Sequence, residues 1–192
     1  MSFDNIIIVG SDNGVYCSSD NALTWTHYPV DYPSKNVTDL TRNNEYIFAA
    51  TLGGVYSSAD TGKTWKSLGL SYSVLSVYAL DSVIFACIHG GGLFRSGNNG
   101  KQWTGIDGNN FYSYLVDNYK IFAGTFTGIF ESTDNGLTWN QKALQNKITT
   151  SISKNDNYFY AVNYTYGIFR SSDKGVTWSD YNEGIIYQKI TG

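Results

Sequence analysis

An all-β chain, folded as a five-bladed β-propeller of four-stranded antiparallel blades, is what this sequence predicts, and three observations predict it. A Gly-aliphatic-aromatic triplet followed by a polar turn and a tryptophan is written five times in 192 residues, at 14–25, 54–65, 92–103, 128–139 and 167–178. The tryptophans that close the copies stand 40, 38, 36 and 39 residues apart (65−25, 103−65, 139−103, 178−139), so every Trp of the chain occupies one repeat position. A period of that size marks an array of stacked supersecondary units. The third observation is composition: 16% aromatic residues, with 16 Tyr and 10 Phe, against 20 Gly and 2 Pro, which suits short strands joined by tight turns.

Taken in chain order, Ile6-Ile7-Ile8-Val9 leads into Gly14-Val15-Tyr16 as Ile47-Phe48 leads into Gly54-Val55-Tyr56. It therefore reads as a second strand, and the first blade lacks its innermost one. The second repeat displays the whole grammar. Residues 37–42 alternate apolar and polar, Asn43-Asn44-Glu45 turns, 46–51 is a buried run, Gly53-Gly54 turns again, and 55–58 makes a third strand. After 59–63 a fourth strand carries Thr64-Trp65-Lys66. The grammar recurs in 83–88 with Leu93-Phe94, in 121–125 with Ile129-Phe130 and in 158–163 with Ile168-Phe169. Beyond the last Trp, residues 185–191 stand where an innermost strand should begin, so this C-terminal strand is expected to complete the first blade and close the ring, removing open sheet edges. The blade units are then about 1–36 plus 185–192, 37–73, 74–110, 111–146 and 147–184, within a single domain of residues 1–192.

Charge and cysteine usage exclude several classes. Thirteen Lys plus Arg against 16 Asp plus Glu give a net charge of −3, which leaves no electrostatic footprint for nucleic acid. No apolar run approaches the roughly 20 residues of a membrane span, so no membrane insertion is expected. The Met1-Ser2-Phe3-Asp4 start lacks the regions of a secretory signal. A cytoplasmic protein follows if Met1 is the native start, and a secreted or cell-surface one if a signal has been removed. Cys17 and Cys87 fall a full unit apart or more, and so read as two small buried thiols. His27 and His89 are isolated from other ligand types at metal spacing. No cofactor is expected, and the chain reads as a monomer.

The turn between third and fourth strands carries a motif. Ser58-Ala59-Asp60-Thr61-Gly62-Lys63-Thr64-Trp65 and the segments 132–139 and 171–178 fit S-x-D-x-G-x-T-W. Segment 18–25 departs with Ala22 for Gly, and 96–103 with Asn98 for Asp and Gln102 for Thr. This resembles the Asp-box, or BNR, repeat of sialidases, sortilin-type receptors, xyloglucan-cleaving glycosidases and photosystem assembly factors. Physical chemistry assigns the box residues Asp20, Trp25, Asp60, Trp65, Asn98, Trp103, Asp134, Trp139, Asp173 and Trp178 a structural role. The Asp or Asn side chain accepts from backbone amides further along the turn, the Ser and Thr hydroxyls satisfy further turn groups, and the glycine supplies positive φ. The indole buries area between neighbouring sheets, with its N–H finding an acceptor there.

The resemblance implies that ligands meet the opposite face, formed by loops joining second to third strands and blade to blade. On this chain those loops carry Tyr28, Asp31, Tyr32, Tyr72, His89, Phe126, Tyr164, Tyr166, Tyr181, Asn182 and Glu183, the candidate ligand-binding residues. Flat aromatics beside amides and carboxylates suit sugars, and suit a protein partner as well. The sialidase signature Phe/Tyr-Arg-Ile-Pro is missing, and Arg42, Arg95 and Arg170 are the arginines present. Arg95 and Arg170 share a third-strand repeat position and read as blade-surface residues partnered by carboxylates. Two carboxylates about 5 to 9.5 Å apart suffice for glycoside hydrolysis, and Asp12, Asp31, Asp107, Asp180 and Glu183 are placed to supply them, which keeps that single enzyme class open. The expected function is a non-catalytic recognition module, carbohydrate first, with a protein-protein interaction scaffold as the alternative.

Overall fold

A computed structural model describes residues 1–3, 5–30, 36–90, 92–106 and 110–185. The described residues are strand and turn throughout, with no helix, and the chain divides into two units, residues 1–108 and 109–192. The first unit holds three four-stranded antiparallel sheets: β1 (Ser2–Phe3), β2 (Ile6–Ser11), β3 (Gly14–Ser18) and β4 (Thr26–Tyr28); then β5 (Val37–Arg42), β6 (Ile47–Thr51), β7 (Gly54–Ser58) and β8 (Lys66–Ser67); then β9 (Val74–Leu80), β10 (Val83–Ile88), β11 (Leu93–Ser96) and β12 (Thr104–Ile106). The second unit holds two: β13 (Phe111–Asp117), β14 (Lys120–Thr125), β15 (Gly128–Ser132) and β16 (Asn140–Ala143); then β17 (Thr149–Lys154), β18 (Phe159–Asn163), β19 (Gly167–Ser171) and β20 (Ser179–Asp180). In each sheet neighbours in sequence are neighbours in space.

Two strand assignments differ from the sequence reading. The place beside Ile6 and Ile7, which the sequence assigned to the C-terminal strand, is taken by β1, with Ser2 opposite Ile7 and Phe3 opposite Ile6. Met1 extends the pairing, its ammonium donating to the Ile8 carbonyl at 3.0 Å and its carbonyl accepting from the Ile8 amide at 2.8 Å. Most of the C-terminal segment expected to fill that place, residues 186–191, lies outside the described residues. The fourth strands begin one residue after the tryptophan, at Thr26, Lys66, Thr104, Asn140 and Ser179, so the indole belongs to the turn.

Alternation explains the packing. On β6 every residue is buried, because a sheet between two others has no solvent face. Ile47 and Ala49 join Ile8, Val15, Val37 and Tyr56 in one cluster, while Phe48 and Ala50 join Val55, Val74, Ile84 and Ala86 in the next. In the second unit Phe122 and Ile129 pack on Phe159, Ala161 and Phe169, with the Phe122 and Phe159 rings edge to face at 5.4 Å. Side chains of the innermost strands tie the second and third sheets together. The Thr38 hydroxyl donates to the Val74 carbonyl at 2.7 Å, and the Val77 amide donates to Asp39 Oδ2 at 3.0 Å. Burial pushes the Asp39 carboxyl up despite that bond.

The polar turn is closed by a buried hydroxyl. Ser18, Ser58, Ser96, Ser132 and Ser171 are each at most 2% exposed. Every one donates to Oδ1 of the Asp or Asn two residues on, at 2.8 to 2.9 Å. Each also accepts the amide four residues on, at 2.8 to 2.9 Å. The same Oδ1 then accepts the amide of Thr24, Thr64, Gln102, Thr138 or Thr177, and in the four Asp turns the threonine hydroxyl closes onto Oδ2. At Asp20, Asp134 and Asp173 the threonine hydroxyl bond is the largest cause holding the carboxyl down at about 2. At Asp60 slight burial opposes it, yet the bonds from Thr64 and Ser58 still bring the carboxyl to about 2. Asn98 makes the amide version of the turn and has no proton to gain.

The turn glycine has a second duty beyond its backbone angle. Gly100 has φ +81, and a Cβ there would collide with the Leu68 side chain of the preceding sheet. Ala22, at φ 68, occupies the equivalent position in the first turn and is exposed, so it carries the left-handed strain without a neighbour to clear. The indoles are less buried than the sequence suggests: Trp25 is 41% exposed and the other four are half-buried. Three indole N–H groups donate to their own turn glycine, Trp65 to Gly62, Trp139 to Gly136 and Trp178 to Gly175, while Trp103 reaches the Leu68 carbonyl of the preceding sheet at 3.1 Å. Cys17 and Cys87 are free thiols; Cys17 donates to the Thr61 carbonyl at 3.7 Å, and burial pushes the Cys87 thiol up to about 12.

Three outcomes are expected. Ser132→Ala removes a buried acceptor and leaves the Gly136 amide unpaired, a loss of about 1–3 kcal/mol by denaturant unfolding. Ala22→Gly relieves a left-handed strain of about 1–2 kcal/mol against roughly 0.5–1 kcal/mol of added chain entropy for glycine, a modest net gain read as a higher midpoint. The four Asp turns have folded pKa values below the ordinary 3.8, so their contribution is fully present above that pH and is lost as pH falls toward about 2. Stability measured across that window should fall with acid, and Asp134→Asn should shallow the fall.

Candidate functional site: the rim of the strand-joining loops

One backbone bond recurs at the end of four of the five second strands. The next residue donates its amide to the carbonyl just before or within one residue of the innermost strand: Leu52 to Asn36 at 3.3 Å, His89 to Ser73 at 2.7 Å, Phe126 to Asn110 at 3.0 Å and Tyr164 to Ile148 at 2.9 Å. The strand end is fastened too. Thr51 and Thr125 hydroxyls donate to the Gly54 and Gly128 carbonyls and accept the Gly53 and Thr127 amides. In the last repeat Asn163 does this work with its amide, donating to the Ile148 carbonyl at 2.7 Å and accepting the Thr165 and Tyr166 amides. The main chain of this position is therefore held alike in four repeats, whereas the side chain is open to solvent: Leu52 is 45%, Phe126 49% and Tyr164 75% exposed, and His89 is exposed as well.

In the second unit these loops form one hydrogen-bonded strip. The Thr127 carbonyl accepts the Asn146 amide at 2.9 Å and the Gln141 side-chain amide at 2.8 Å. Lys147 follows, and the carbonyl of Ile148 holds the Tyr164 loop as described. Beyond it Asn182 closes the strip, its Oδ1 accepting the Ile168 amide at 2.8 Å and its Nδ2 donating to the Tyr166 carbonyl at 3.0 Å. The Asn182 amide is thus engaged at both ends within the turn, while Glu183 beside it is exposed. Tyr166 is 51% exposed, with the Lys147 ammonium 3.6 Å from its ring centroid.

The remaining aromatics differ in how much ring they offer. Tyr181 has one face against the Arg170 guanidinium at 4.1 Å, and that cation has Tyr158 on it at 4.4 Å. Among the described residues Arg170 has these ring contacts and no carboxylate at ion-pair distance, where the sequence suggested a carboxylate partner. In the first unit Tyr72 stacks on Phe94 with centroids 5.0 Å apart and planes at 29°. Tyr28 is half-buried at the end of β4, beside Cys17, Thr61 and Lys63. Asp31 and Tyr32 lie outside the described residues, as does Asp107. The structure thus gathers Phe126, Tyr164, Tyr166 and Asn182 on one strip of the second unit and places Tyr28, Tyr72 and His89 on the first. The two ring-held cations were not legible in sequence. Pairing of β18 with β19 puts Arg170 opposite Tyr160, yet the rings on its guanidinium are Tyr158 and Tyr181.

Among the described residues no group of three His, Cys, Asp or Glu is placed to hold a metal, and no helix is long and apolar enough to cross a membrane. The carboxyls driven down to about 2 are those locked into the polar turns, and they remain ionised near neutral pH.

No family model matches the chain, and no curated protein matches it in sequence. Solved structures do share its fold. An ancestral GH74 enzyme superposes with a TM-score of 0.78 at 21% identity, over 95% of this chain and 30% of that one. The extracellular domain of a one-component system from B. thetaiotaomicron gives 0.76 at 16%, over 98% of this chain and 28% of that one. YCF48 bound to a D1 peptide gives 0.65 at 10%, over 94% and 73%. The chain spans about a third of the GH74 enzyme's length. Five four-stranded antiparallel sheets matching these neighbours define the class of protein: a β-propeller module.

Replacing Asn182 by Ala should free the Ile168 amide and cost roughly 1 kcal/mol. The check is hydrogen exchange, in which the Ile168 amide should lose protection while the Tyr166 amide, held by Asn163, and the polar-turn amides keep theirs.

Proposed function

We propose that the five polar turns are Asp-box repeats and that this chain is a recognition module binding carbohydrate at the loop rim of its second unit, without chemistry on the ligand. One observation carries the reading: a repeat position whose main chain is anchored by a conserved bond geometry presents an exposed side chain that changes from Leu52 to His89 to Phe126 to Tyr164. A fixed backbone with a variable, open side chain is what a rigid scaffold offers a ligand. Phe126 and Tyr164 supply broad apolar rings for the C–H faces of a sugar, and the half-open Tyr166 ring adds to them. The locked carboxylates of the polar turns serve the fold, so the proposed site works by contact area rather than by acid and base.

A protein partner is the second reading, favoured by YCF48, which holds a D1 peptide on the same fold. The two separate on a glycan array followed by calorimetry. A single shallow site should bind with Kd of roughly 10 μM to 1 mM, or about 4–7 kcal/mol. Phe126→Ala and Tyr164→Ala should each weaken binding several-fold with an unchanged melting temperature, because both rings are exposed. Hydrolysis of the bound sugar would overturn the non-catalytic reading, and silence across the array would leave the protein partner.

A further inference from the structure

Among the described residues, the rim carries a cation that no carboxylate pairs with. Lys120 and Lys154 of the second unit are paired with carboxylates, Glu131 at 3.3 Å and Asp117 at 2.6 Å, while Lys142 and Lys174 are simply exposed to solvent. Lys147 has no such partner among the described residues. Its ammonium instead lies 3.6 Å from the Tyr166 centroid and 5.4 Å from that of Phe169, which is 6% exposed. The main chain that carries it is fixed, since the Lys147 amide donates to Leu144 at 3.1 Å and its carbonyl accepts the Thr149 hydroxyl at 3.1 Å.

Ring faces hold an ammonium in place but satisfy only the side turned toward them, and an ammonium has three donors. Lys147 is half-buried, so the donors that the rings do not meet are left to water or to a ligand. Loop 144–148, which carries it, is bonded on one side to the Phe126-Thr127 loop and on the other to the Tyr164 loop. The cation therefore stands within the aromatic strip rather than apart from it.

We infer that the rim selects an acidic sugar, with Lys147 as counter-ion to a ring carboxylate of the uronate type; this rests on the carbohydrate reading above. A uronate presents a C–H face and, at its edge, a carboxylate. Stacking on Phe126 or Tyr164 uses the face, and a charge-assisted hydrogen bond from Lys147 uses the edge. The class is distinct from a neutral glucan, which offers the same face and leaves the ammonium without an anion.

The test is calorimetry on the full chain with two probes that share the ring faces, a short oligogalacturonate and its fully methyl-esterified form, in which each carboxylate becomes a neutral ester. The acid should bind about tenfold more tightly than the ester, and the difference should shrink as salt is raised. Lys147→Gln should bring the acid down to the affinity of the ester, Lys147→Arg should keep the preference, and Tyr164→Ala should weaken both probes. Equal binding of acid and ester, or a preference that survives Lys147→Gln, overturns the inference. The carbohydrate reading stands in that case if Tyr164→Ala still weakens both probes. Failure of both probes with a neutral hit on the array overturns the inference alone; failure of both with a silent array overturns the carbohydrate reading as well. Should Lys147→Gln not fold, the salt dependence of the acid-ester difference in the unaltered chain decides.

Discussion

A buried serine hydroxyl sets the terms for everything else in this molecule. It sits at the end of each third strand, where a polar group without partners would be costly. The hydroxyl donates to the Asp or Asn two residues on and accepts the amide four residues on, so neither role is left open. Closing the chain this tightly forces two successive residues to positive φ, as at Thr61 and Gly62. That turn then presents the glycine to the preceding sheet, where Leu68 stands against Gly100 and Phe122 against Gly175. A single hydroxyl thus connects the end of a strand to the spacing between sheets.

The two ends of each sheet are built on opposite plans. At the polar turns, backbone and side chains are both committed, and the same residue types recur because each atom has a partner. At the rim the backbone is committed by the recurring amide bond while the side chain is not, so Leu52, His89, Phe126 and Tyr164 stand at one position. Side chains can change there without touching the fold. The neighbours of known structure, which include enzymes, an extracellular domain and a peptide complex, are consistent with one scaffold hosting several uses.

Aromatic rings do more in this chain than fill space. Phe122 and Phe159 meet edge to face in the core, whereas Tyr166 and Phe169 hold Lys147, and Tyr158 and Tyr181 hold Arg170. Ring faces fix a cation in position without neutralising it. A cation kept in that way stays available to an anion from outside, which a salt bridge like Lys154 to Asp117 does not.

Sequence alone was enough for the second and third strands and for the polar turns because both depend on residues near one another in the chain. Alternation along 47–51 requires two buried faces, and the spacing of Ser58, Asp60, Gly62 and Thr64 encodes a turn whose bonds span two to four residues. The loop face was legible to the extent that Phe126, Tyr164 and Tyr166 follow second strands. Tertiary structure alone decided what each ring and polar group meets. Asn182 is consumed by the Ile168 amide and the Tyr166 carbonyl, Tyr72 lies on Phe94, Ser2–Phe3 takes the edge beside Ile6, and Lys147 sits over Tyr166. The physical reason is range. A local hydrogen bond is set by spacing along the chain, whereas the partner of an exposed ring or a long cationic side chain is set by which loop passes beside it.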